Sequence, residues 1–184
     1  MKTAVAYTSK YGSTKQYAQW LAEEIGADLY DMRRTSVERL DEYDIVIYGG
    51  GIYASGILGL GKIKKYWKQR SGKQIIFFAV GASIKSDDLI KEIRTRNFAD
   101  TDRELPFFFC RGDYDFSRLK AGDKIMMRLF KKMNESLEKK GTPAPDWEDG
   151  MKRVVLGSFQ GVDRAYLLEL LDCYEELKAA LIKE

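Results

Sequence analysis

At 184 residues, with 45% apolar and 32% charged side chains and a formal net charge of +3, the chain has the size and balance of one globular domain able to bury a core. The complete absence of histidine removes imidazole acid–base chemistry, His-based triads and His-ligated metal sites together, so no metal site is expected. Cys110 and Cys173 stand alone, without a CxxC spacing, and read as two free, buried thiols in a reducing cytoplasm. The longest apolar stretch, Ile75 to Ala82, is too short to span a bilayer, and the first residues break at once into polar ones instead of forming a signal peptide. A cytoplasmic protein whose redox or group-transfer chemistry comes from a bound cofactor is the expectation.

Strand and helix patterns then alternate along the chain. Lys2–Tyr7 reads as a buried strand, and Ser13–Ile25 as a helix with an apolar stripe at Tyr17, Trp20, Leu21 and Ile25. Asp28–Met32 is a short second strand. Asp44–Tyr48 is a third, β-branched one, expected to stop at Gly49-Gly50-Gly51. Leu58–Arg70 predicts a helix, Gln74–Val80 a fourth strand, Asp87–Arg96 a helix with Ser86 as its N-cap, and Leu105–Cys110 a fifth strand. The segment of about 113–150 is an insertion, with a helical middle and a closing stretch Gly141–Gly150. A final helix, Arg164–Ile182, carries Leu167, Leu170, Leu171, Tyr174, Leu177 and Leu181 on one side. Such alternation predicts an α/β fold, a doubly wound five-stranded parallel sheet with helices on both faces, all in one domain over 1–184.

The segment Val5–Leu21 carries the strongest chemical signal. A short strand runs into a hydroxyl-rich turn and the turn into a helix, which gathers Thr8, Ser9, Ser13 and Thr14 with successive backbone N–H groups at the helix N-terminus. Orphan N–H donors and the positive end of the helix dipole favour a phosphate there. A P-loop is excluded, because no Lys-Ser/Thr pair follows Gly12. An ordinary Ser/Thr-capped turn would account for only one or two of these positions.

Val5, Tyr7, Ser9, Gly12, Thr14, Ala18 and Leu21 fall on the FMN-phosphate signature of the flavodoxin family, with Ala6 the one departure, and the chain resembles that family here. The resemblance implies strand order 2-1-3-4-5 with FMN at the carboxyl ends of the strands. It implies that Thr8, Ser9, Lys10, Tyr11, Gly12, Ser13 and Thr14 hold the phosphate. The ring would lie between Gly51, Ile52, Tyr53, Ala54 and Ser55 on one side and Val80, Gly81, Ala82 and Ser83 on the other, with Gly112 and Tyr114 adding contacts. No side chain stands out as an obligatory acid or base, so no catalytic residue is named. Electron-carrier flavodoxins have a Gly-containing peptide that flips toward flavin N5; the equivalent peptide here is Ala54-Ser55, where a β-carbon makes positive φ costly. That departure predicts weak semiquinone stabilisation and two-electron cycling in an FMN-dependent electron-transfer protein or oxidoreductase.

The first ring turn, the basic helix Lys62–Lys68 and the late insertion with Tyr114–Arg118 and Lys124–Met133 are similar to the menaquinone-dependent protoporphyrinogen dehydrogenase branch of the family. That likeness implies a quinone or porphyrinogen as redox partner. Ile125, Met126, Leu129, Phe130, Met133 and Leu137 recur at helical spacing beside Lys124, Arg128, Lys131 and Lys132. This pattern fits either an amphipathic helix packed on the protein or a surface helix meeting a membrane, a quinone or an anionic porphyrin. The Lys62, Lys64, Lys65 and Lys68 cluster reads as a solvated helix face. No interleaved aromatic platform accompanies the basic residues, so nucleic acid is not an expected partner. A phosphorelay receiver domain is excluded, since Thr8-Ser9 and Gly49 stand where it needs carboxylates; a cofactor-free interaction module remains the alternative of another class.

Overall fold

The computed structural model describes residues 1–70, 73–101, 105–139 and 155–183. The predicted closing stretch Gly141–Gly150 and the Leu137 side chain lie outside the described part. In chain order the elements are β1 (Thr3–Thr8), α1 (Ser13–Ile25), β2 (Asp28–Asp31), β3 (Ile45–Tyr53), β4 (Gly56–Ile57), α2 (Leu60–Lys68), β5 (Gln74–Gly81), α3 (Asp87–Phe98), β6 (Phe107–Arg111), β7 (Tyr114–Asp115), α4 (Ala121–Lys139), β8 (Ser158–Phe159) and α5 (Leu168–Lys183). The five long strands pair in parallel in the order β2-β1-β3-β5-β6, which is the doubly wound 2-1-3-4-5 order expected. Two short antiparallel additions were not anticipated: β4 folds back on β3, and β7 pairs with β8.

Register sorts alternate residues onto the two faces of the sheet. The row Ala4–Val46–Ile75 packs under α2 and α3 with Leu60, Ile63, Leu89 and Ile93. The next row, Val5–Ile47–Ile76, packs under α1 and α5 with Tyr17, Leu21, Leu170 and Tyr174. With both faces covered, a one-residue slip would exchange the two cores, which is why parallel strands of this composition hold their register.

Helix α1 starts and ends where the periodicity places it, closed by Gly26 in the left-handed conformation (φ 65°). Ser86 caps α3 by accepting a hydrogen bond from the Leu89 N–H at 3.3 Å. Strand β3, however, does not stop at the glycines but runs on to Tyr53. Those glycines are strand residues because there is no room for a side chain: a β-carbon on Gly49 would overlap the buried Phe78 ring, and one on Gly50 the Ile57 side chain. Helix α2 begins two residues later than predicted. Leu58 is held in a turn, its N–H donating to Gly51 O (3.0 Å) and its carbonyl accepting from the Tyr48 hydroxyl (2.7 Å).

Lys64 and Lys68 are not merely a solvated face: both pair with Asp100 beyond the end of α3, and Lys64 also donates to the Asn97 carbonyl at 2.7 Å. Both cysteines are free; Cys110 is buried, its thiol pKa pushed up to about 12 by that burial, while Cys173 is only half-buried. Among the described residues no helix is long and apolar enough to cross a membrane.

Candidate functional site

At the carboxyl ends of β1, β3, β5 and β6 a cavity of about 880 Å³ opens between the strand-exit turns and helix α4. Its polar end is the turn after β1. The Ser9 hydroxyl accepts the Gly12 N–H at 3.0 Å, and the Ser13 hydroxyl accepts the Asp113 N–H at 3.1 Å. An oxygen that accepts in this way keeps its own hydrogen free to donate elsewhere. Gly12 takes φ 109°, helix α1 has no side-chain cap, and its first turn holds no acidic residue. The first N–H groups of α1 and its positive dipole end are therefore left for an external anion. Thr14, only 3% exposed, stands in the same turn.

The two flanking turns form a slot. On one side β3 and β4 make a hairpin, with Tyr53 opposite Gly56 and Ala54-Ser55 at its tip. Ala54 (φ 47°) and Ser55 (φ 62°) both sit in the left-handed region, so the β-carbons do not keep this turn out of it. The expectation that they would is corrected by Asn97, which clamps the hairpin from α3: its amide donates to Ser55 O at 3.0 Å and its carbonyl accepts the Ile57 N–H at 3.0 Å. Two hydrogen bonds of this kind, about 1 kcal/mol each, offset a left-handed strain of about 1–2 kcal/mol per residue only together with the hairpin pairing. On the other side lie Val80, Gly81, Ala82 and Ser83, with Gly81 against Phe109 and Ile52. Gly112 closes in on Val80 and Ser13, where a β-carbon would come within 3.0–3.3 Å of both.

Helix α4 forms the remaining wall. Asp123, 6% exposed, accepts Lys10 Nζ (2.8 Å), the Tyr53 hydroxyl (2.8 Å) and the Tyr11 hydroxyl. Burial pushes this carboxyl upward, but the three donors outweigh it and hold Asp123 below the usual carboxylate range. The Lys10 ammonium also lies 3.9 Å from the centre of the Tyr53 ring. One carboxylate thus ties the inserted helix to both the turn after β1 and the β3–β4 hairpin. Farther along α4, Met126, Met127 and Phe130 line the cavity, while Leu129 and Met133 line its mouth and remain 62% and 55% exposed. The helix is packed on one side and open on the other, so each reading of its pattern describes part of it.

Of the eighteen residues singled out in the sequence as cofactor contacts, seventeen line this one cavity. Thr8 does not: its hydroxyl donates to that of Tyr48 at 2.9 Å, beneath Gly59, on the α2 face of the sheet. Tyr114 lines the cavity but donates its hydroxyl to Val155 O at 2.6 Å, and burial raises its pKa to about 12. Asn97, Asp123 and the α3 wall of Leu89, Glu92 and Ile93 were not legible in the sequence. The one hint was an acidic residue opening a basic helix, and nothing in it says that Asp123 meets Lys10.

The flavodoxin domain family matches residues 4–140, about three quarters of the chain. The chain belongs to the flavodoxin domain family. The uncharacterized protein MJ0298 of Methanocaldococcus jannaschii is 29% identical over 126 residues, covering 65% of this chain and 81% of that protein. Solved structures with a similar fold include the Trp repressor binding protein from Bacillus subtilis, at 20% identity and a TM-score of 0.46 over 60% of this chain and 85% of that one. A flavodoxin from the domain Archaea is 19% identical with a TM-score of 0.40, over 60% of this chain and 82% of that one. The WrbA-like flavodoxin from Agrobacterium tumefaciens is 22% identical with a TM-score of 0.40, over 66% and 87%. Membership implies a flavin cofactor, and the cavity suits one: an uncapped helix terminus rich in hydroxyls at one end, and a slot between two close-packed turns at the other.

Proposed function

We propose that this protein binds FMN noncovalently and works as an FMN-dependent oxidoreductase with two-electron flavin cycling. The carrying observation is the single cavity that joins the uncapped start of α1 to the slot between Gly51–Ser55 and Val80–Ser83. The hydroxyls of Ser9, Ser13 and Thr14 and the first backbone N–H groups of α1 would hold the phosphate, and Tyr53, Gly81 and Gly112 would flank the ring. The flavin supplies the redox chemistry; the chain binds it, orients its ring and shields it from water. With Ala54 and Ser55 already held at positive φ by Asn97, the β-carbons no longer argue against a radical state, and the titration below decides between one- and two-electron behaviour.

A porphyrinogen substrate is the less supported reading. Its carboxylates need cations in the wall, and Lys10, a wall cation, is already paired with Asp123 at 2.7 Å. Peripheral membrane contact is supported by the exposed row Ile125, Leu129 and Met133 beside Arg128 and Lys132. Sedimentation with anionic vesicles tests it; no binding at low salt refutes it.

The deciding experiment is an absorption spectrum of the purified protein with added FMN, followed through anaerobic dithionite titration. Bound flavin reduced without radical absorbance is the expected result. A strong, long-lived radical band would make the protein a one-electron carrier, and no flavin binding would leave a cofactor-free module.

A further inference from the structure

We propose that the knot around Asp123 is a clasp over the flavin seat: FMN enters and leaves where α4 meets the turn after β1 and the β3–β4 hairpin, and the knot must part to let it pass. This rests on the flavin reading above and adds to it how the cofactor is admitted and retained. Three donors from two separate turns converge on one carboxylate, Lys10 and Tyr11 from the turn after β1 and Tyr53 from the hairpin. All four residues line the cavity, so the knot closes the flank along which the two turns meet α4. A ligand with its phosphate at the start of α1 and its ring in the slot spans the same two turns that the knot ties together.

The fastening of α4 makes its first turn the part that opens. From Ala121 to Met133, Asp123 is the one buried residue of the helix, and the next is Asn134, about three turns farther on. Just before the helix the Lys120 N–H donates to the Tyr11 hydroxyl at 3.2 Å, so this end is fastened by polar contacts. Gly122, beside Asp123, is exposed, and nothing lies within 4 Å of a β-carbon there, which leaves room for the turn to lift. Opening an apolar seam would expose hydrocarbon to water. The charges of the knot instead regain their hydration when they part, which offsets much of the attraction they lose. Meanwhile Asn134 keeps the far half of α4 docked.

The test is the rate of FMN exchange with the full chain, read by flavin fluorescence. Association is followed on mixing FMN with flavin-free protein, and dissociation on diluting the loaded protein. Asp123→Asn takes the charge out of the knot; Tyr11→Phe removes one donor and leaves the Lys10–Asp123 pair in place. A clasp that closes the empty and the filled seat alike changes both rates by one factor and leaves the equilibrium constant alone. Both rates should therefore rise at least about tenfold in Asp123→Asn and about threefold in Tyr11→Phe, with the dissociation constant of Tyr11→Phe within about twofold of native. Loss of a simple contact, or of local structure, would speed dissociation alone. Association that rises in neither variant overturns the proposal, whatever dissociation does, and Tyr11→Phe decides by itself if Asp123→Asn does not fold. A failed clasp leaves the flavin reading standing, whereas a native chain that takes up no FMN removes that reading and the clasp with it.

Discussion

The two walls of the cavity are built on opposite principles. The strands behind the sheet wall are set by close approach, Gly49 and Gly50 leaving no space against Phe78 and Ile57, and in the wall itself Gly112 is wedged against Val80 and Ser13. The α4 wall is anchored by a buried polar knot, Asp123 with Lys10, Tyr11 and Tyr53, and by the buried Asn134, while Ile125, Leu129 and Met133 are exposed. The strand side is close-packed and α4 is the more open of the two walls.

The difference can be broken most severely at Gly49. Gly49→Ala should destabilise the fold by about 3 kcal/mol, read in urea unfolding, because the buried Phe78 ring has nowhere to go. A loss under about 1 kcal/mol would mean that the strands behind the sheet wall are not close-packed there. Thr14→Asp comes next: a carboxylate beside the phosphate should weaken FMN about a hundredfold or more by calorimetry, with the fold intact. Unchanged affinity would move the phosphate elsewhere.

Asp123→Asn addresses the knot directly and should cost about 1–3 kcal/mol of α4 docking. Hydrogen exchange should speed up along α4 and not in β1, β3 or β5; uniform change across both would dissolve the contrast. Because the folded carboxyl lies below its ordinary value, its contribution is present above about pH 4 and fades as the pH falls through the folded pKa. The groups facing it are Lys10, Tyr11 and Tyr53, and Asp123→Asn should flatten that acid limb of the stability profile.

Asn97→Ala should cost about 1–2 kcal/mol in urea unfolding and speed hydrogen exchange in the β3–β4 hairpin. Unchanged exchange there would mean that the hairpin pairing alone holds Ala54 and Ser55 at positive φ. The smallest effect has the opposite sign. Nothing lies within 4 Å of a β-carbon on Gly122, so Gly122→Ala in α4 should stabilise by about 0.5–1 kcal/mol. The same substitution behind the sheet wall and in α4 thus separates the two by direction as well as size.

The parallel sheet, the bounds of α1, the Ser86 cap and the hydroxyl-rich turn after β1 were legible in the sequence, because each rests on residues adjacent or periodic along the chain. The same locality made Ser9–Thr14 and the two ring turns legible as a set: strand-exit turns of a doubly wound sheet share one edge once the order is known. Tertiary structure decided the rest. Gly49–Gly51 look like a loop until Phe78 and Ile57 are seen to fill the space that side chains would need. Ala54 and Ser55 hold left-handed angles because Asn97, some forty residues away, grips a hairpin that β3–β4 pairing also holds. Thr8 looks like its neighbours in the motif, yet the strand pleat turns it toward Tyr48. Asp123 reaches Lys10 in the turn after β1 across 113 residues, and no periodicity encodes a hydrogen bond between side chains so far apart. Local patterns fix what a segment becomes; only the packed chain decides which distant groups share a charge or a space.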